Sequence, residues 1–116
     1  MRRAILCLAA LAPGLALATP YDGVYRPNHD FAESWDCRSV GRDGGALAIE
    51  GDRLIGVENA CQLSDPVEVR DMNAVLYDAD CAGEGESYSE RVMLMAHDFG
   101  VYVIRDGLVL DWIACD

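Results

Sequence analysis

The stretch 44–63, GGALAIEGDRLIGVENACQL, constrains the fold more than any other part of the chain. Leu47 and Ile49 alternate ahead of Gly51-Asp52, and Leu54, Ile55 and Val57 follow it. A two-residue Gly-X turn between apolar runs matches the twist of the strands it joins, so the stretch reads as a β-hairpin. That turn pairs Ile49 with Leu54, Leu47 with Gly56 and Gly45 with Glu58. Side chains alternate along a strand, which puts Leu47, Ile49, Leu54 and Glu58 on one face. Glu50 and Arg53 favour water on the other, so the first is the core face. Glu58 then points at the core or its rim, where a carboxylate costs free energy unless it is hydrogen-bonded or paired. We expect a structural carboxylate that pins the turn into Cys61. General acid–base work needs a second positioned group, and none accompanies it.

The same pattern recurs along the chain. Residues 20–27 form a short strand bounded by prolines, which suits an edge or a strand end. Phe31 and Trp35, at i and i+4, mark a helical turn or a packed loop. Residues 64–66 read as a turn and 67–70 as a short extended piece. After 74–78 comes DCAGEGESYS at 80–89, the longest loop by composition. The strand at 90–97 puts Val92, Leu94 and Ala96 on one face and Met93 and Met95 on the other. Residues 101–105 and 108–113 flank Asp106-Gly107, a type I′ turn by composition. Six to eight such strands predict an all-β antiparallel meander in a single domain, either a small barrel or a two-layer sandwich.

The N-terminus belongs to another category. Met1-Arg2-Arg3 is basic, Ala4 to Ala12 is apolar, and Ala16-Leu17-Ala18 is a small-x-small cleavage site. We expect 1–18 to be a signal peptide and 19–116 the folded domain, soluble in the periplasm or secreted. Export gives the cysteines their meaning. Without Cys7, four remain: Cys37, Cys61, Cys81 and Cys115. An even number in an exported chain predicts two disulfides. No C-x-x-C pair is present to suggest zinc. Of the three connectivities, Cys37–Cys61 with Cys81–Cys115 is favoured, because Cys61 leaves the hairpin where the chain from Cys37 arrives.

Charge narrows the partners. Removing Arg2 and Arg3 takes the formal charge from −11 to −13 and leaves no lysine. Nucleic acid and anionic lipid surfaces would be repelled, whereas a basic exported protein or a cation would be attracted. Asp78, Asp80, Glu84 and Glu86 partly imitate a calcium loop, with Asp at its first and third positions and Gly83 at its sixth. Ala82 and Ser89 depart from that pattern at the fifth and twelfth, so a solvated acidic loop is the expectation, with the four carboxylates as a candidate cation site. His29 and His97 are isolated, Asp98 beside His97 is too generic a pairing, and no serine has a nucleophile-elbow context. No catalytic residue and no cofactor are expected.

Glu58-Asn59-Ala60-Cys61 followed by Cys81-Ala82-Gly83-Glu84-Gly85 resembles a group of small exported bacterial proteins with an E-x-x-C hairpin exit, a C-x-G-E-G loop and a C-terminal cysteine. That group has no assigned function, and the resemblance implies a disulfide-linked β fold. In size, compartment and β architecture the chain is also similar to the periplasmic lysozyme inhibitors, whose acidity suits a basic enzyme. Their Ser-Gly-Ser-Gly-Ala-like loop is replaced here by Gly83-Glu84-Gly85-Glu86-Ser87-Tyr88. Two functions are therefore expected: a non-enzymatic protein-binding module, inhibitor-like in character, or a cation- or small-ligand-binding β module using residues 78–86.

Overall fold

Alternating apolar and polar residues produce eight strands: β1 (Gly23–Pro27), β2 (Leu47–Glu50), β3 (Arg53–Gly56), β4 (Asn59–Glu68), β5 (Ala74–Gly83), β6 (Glu86–His97), β7 (Gly100–Arg105) and β8 (Leu108–Ala114). The computed structural model describes residues 20–116, so the expected signal peptide lies outside the described residues. Each strand pairs antiparallel with the next, and β8 returns to β1 through Tyr25–Ala114, Arg26–Ile113 and Pro27–Trp112. The sheet closes into a barrel, not a sandwich. Among the described residues no helix is long and apolar enough to cross a membrane. Among the described residues the one helical element is a 3-10 turn, Asp30–Ala32.

The opening hairpin forms as its turn dictates. Gly51 takes φ 61°, and Ile49 pairs with Leu54. Leu47, Ile49 and Leu54 are buried in the lumen with Tyr25, Tyr77, Val92, Leu94, Val101, Val103 and Trp112. Each fully buried Leu or Val contributes about 1.5–3 kcal/mol. The ladder ends at Ala48–Ile55, however, short of the expected Leu47–Gly56 and Gly45–Glu58 pairs. The chain turns back at Val57-Glu58, with Glu58 at φ 57°. Glu58 is therefore an exposed turn residue, off the face of Leu47 and Leu54. Its backbone N–H, donating to the Gly41 carbonyl at 2.9 Å, ties the turn to the preceding loop.

Three other expectations give way to longer-range pairing. Residues 80–89 are ladder, not loop. β5 and β6 pair without a break from Ala74–Met95 to Gly83–Glu86, and only Glu84-Gly85 turns. Both turn residues have positive φ, 53° and 82°, as a type I′ turn requires, but Glu replaces the usual Asn and hides the signal. At Asp106-Gly107 only Gly107 has positive φ, so that turn is not type I′. β4 runs straight through the expected turn at 64–66 by means of a bulge between Ser64 and Val67. Pro66 fits a bulge because it has no N–H to give the ladder.

The disulfides are Cys37–Cys115 and Cys61–Cys81, which replaces the favoured pairing. β4 and β5 are neighbours, and their register sets Cys61 directly opposite Cys81. Cys115 ends beside β1, where its N–H donates to the Val24 carbonyl, and the loop after β1 brings Cys37 to it. In the chain-entropy picture, bridging 78 residues stabilises more than bridging 20, roughly 4.5 against roughly 3.3 kcal/mol. Two disulfides fit an oxidising compartment.

Asp36 organises the approach to Cys37, which itself sits at φ 60°. Its carboxylate accepts hydrogen bonds from the backbone N–H groups of Ser39 and Arg38 and from the Ser39 hydroxyl. These donors hold its pKa down, from 3.8 to about 2. A carboxylate depressed in the folded state contributes stability above its unfolded pKa and loses it as pH falls through the folded value. Acid titration of the folded protein should therefore show a loss of stability between about pH 4 and about pH 2, and Asp36→Asn should flatten that limb. Urea midpoints measured at each pH would read it.

Candidate functional site

One end of the barrel is open, and strand length explains why. β6 pairs with β7 only from Met93–Ile104 to His97–Gly100. Its first half continues past β7, held by β5 alone. The turns 57–58, 84–85 and 106–107 surround this end. Inside them lies a cavity of about 740 Å³. Its apolar wall comes from Leu47, Leu108, Leu110 and Trp112, with Pro27 and Phe31 at one side. Phe31 stands on the loop after β1, stacked on His29 at 5.5 Å and edge-on to Trp35 at 6.3 Å.

Polar groups enter the cup by the same alternation that builds the core. Along β6, Val92 and Leu94 face inward, so Glu90, Tyr88 and Glu86 do as well. Along β7, Val101 and Val103 face inward, and so does Arg105. Glu90 and Arg105 form an ion pair through Oε2 and Nε, with side chains 26% and 18% exposed. The Glu90 carboxylate also lies 3.9 Å from Cys81 Sγ. The Tyr88 hydroxyl meets the Asn59 amide at 2.6 Å, linking β6 to the start of β4. Three possible ligand atoms, those of Cys61, Cys81 and Glu90, lie within 4.8 Å of one another, but the disulfide ties up both sulfurs.

The sequence candidates divide between two places. Glu58, Glu84 and Glu86 line the rim of the cup. Asp78 and Asp80 lie on the outer wall of β5, where Asp78 pairs with Arg91 at 3.0 Å and Asp80 accepts from Ser89 at 2.7 Å. The ladder thus spreads the four carboxylates of the candidate cation site over two surfaces. His97 bonds Asp111, not Asp98: Nε2 lies 2.8 Å from its carboxylate, and Nδ1 accepts from the Phe99 N–H at 3.2 Å. Asp111 also accepts from the Asn28 amide at 2.9 Å, which ties β8 to the turn after β1. Glu90 and Arg105 are functional candidates that sequence reasoning missed. The available signal was the inward face of Val92 and Leu94, and of Val101 and Val103, each ending in a charge of opposite sign.

The two motif halves also meet here. Glu58-Asn59-Ala60-Cys61 and Cys81-Ala82-Gly83 run antiparallel, with Ala60 opposite Ala82 and Cys61 opposite Cys81. A Cβ on Gly83 would lie 2.4 Å from the Glu58 carbonyl oxygen and 2.8 Å from Asn59 Cα. The pattern is therefore a packing unit: a disulfide, one pair of small residues, and a glycine over which the 57–58 turn leans.

No family model matches the chain, and no curated protein or solved structure matches it. The geometry therefore carries the site. Because the contact at Gly83 is with backbone, Gly83→Ala should destabilise the barrel by about 1–3 kcal/mol. A urea midpoint that falls with an unchanged slope would show it, and an unmoved midpoint would refute the contact.

Proposed function

We propose that this protein is an exported, non-enzymatic binding barrel that takes an apolar guest into its open end. The observation that carries this is the cup of about 740 Å³, which sets an apolar wall beside polar and charged groups. Small-molecule sites span roughly 300–1,000 Å³ and have this mixture. Eight strands also give a barrel interior large enough to hold one small ligand. A non-enzymatic role is supported by how the reactive groups are engaged. Glu90 is paired with Arg105, and both nitrogens of His97 are hydrogen-bonded. Export, to the periplasm or beyond, is supported by the two disulfides and by the signal-like start of the chain.

The neutral dye N-phenyl-1-naphthylamine tests the cup. Saturable uptake with one site per chain is expected, and Leu110→Trp, which fills the wall, should weaken it at least about tenfold. Uptake absent or unchanged by the filling substitution would reject the reading.

A second reading rests on the rim, where Glu58 and Glu84 stand on turns beside the exposed Val57 and Leu108. Such a surface suits a basic protein. A basic c-type lysozyme is the natural probe: inhibition at low salt that fades as salt rises would support this reading, and an unaltered rate would dismiss it.

A further inference from the structure

We infer that the cup's guest is a cationic amphiphile, an ammonium or guanidinium head on an apolar body, with the head at the rim and the body against Trp112. This rests on the cup reading and specifies the class of guest. The apolar part follows from the wall of Leu47, Leu108, Leu110 and Trp112. The charge follows from an imbalance around the mouth. Glu58, Glu84 and Glu86 line it, and among the described residues their carboxylates have no salt bridge or hydrogen bond. Arg105 is the only arginine or lysine among the described lining residues, and Glu90 already neutralises it. An anionic head would have to break that pair and pass three carboxylates. A cationic head disturbs no existing pair and enters a mouth of net negative charge.

The backbone supplies a control for the test. Glu58 and Glu84 both occupy the left-handed region, at φ 57° and 53°, where Asn or Gly is easier to accommodate. Carboxylates are thus held at two turn positions that local conformation disfavours. Conformation and function are expected to pull apart here, and that gives a test in which loss of folding cannot be mistaken for loss of binding.

The experiment displaces N-phenyl-1-naphthylamine with three probes that share a ten-carbon tail: decylammonium, decanol and decanoate, each below its micelle concentration at pH 7. Decylammonium should bind at least about tenfold more tightly than either of the others, with the gap narrowing as salt is added. In the Glu58→Asn/Glu84→Asn variant the thermal midpoint should hold or rise, decanol should bind as before, and the preference for decylammonium should fall below about threefold. Equal affinities, a preference for decanoate, or a preference that survives the double substitution would each overturn the charge inference while leaving the cup intact. Failure of the neutral dye to enter would instead defeat the cup reading itself.

Discussion

Closure of β8 onto β1 is the constraint on which the rest of the structure depends. β1 has only five residues, and it must pair with β2 on one side and β8 on the other. Without that double pairing the sheet would present two open edges, and its apolar face would lie open to water. With it, one face becomes a lumen. The large side chains of Tyr25, Leu54, Tyr77 and Trp112 then meet across a space small enough for them to fill. The Cys37–Cys115 bridge acts at the same seam, because Cys115 also bonds β1 through its backbone N–H.

The two ends of the barrel differ because the strands do not match in length. β2 and β3 have four residues each, while β5 and β6 have ten and twelve. The excess emerges at one end as the β5–β6 hairpin, and its inward positions there are Glu86, Tyr88 and Glu90 in place of valine and leucine. The same alternation that fills the core thus lines the cup. No separate structural device is needed to make the site, only strands that outlast the apolar part of their own pattern.

The core was more legible in the sequence than the site. Leu47, Ile49, Leu54, Val92 and Leu94 declare themselves by period-two alternation, which local sequence fully encodes. Where the reading failed, a longer-range contact or a turn in disguise was responsible. Glu84 stands where an Asn would announce the β5–β6 turn, so a continuous ladder looked like a loop. Pro66 looked like a turn because a bulge cannot be seen until β5 is placed beside β4. The cysteine pairing depends on register between strands, which spacing along the chain does not carry. Glu90 and Arg105 needed both the register and the barrel's closure before they could be seen to face one another.

The closing register has a consequence for assembly. β5 and β6 are joined by a two-residue turn and zip through ten consecutive pairs, so each new pair closes almost no additional loop. Pairing Tyr25 with Ala114 instead brings together residues from opposite ends of the domain. Loop-closure entropy grows with that separation, so the seam is the costliest contact in the fold to make first and the least costly to make last. When the strands part in the oxidised chain, Cys37 and Cys115 keep those two ends together, so re-forming the seam is a local search and not a long-range one. The bridge nearest the terminus therefore acts on the unfolded chain as well as on the finished barrel.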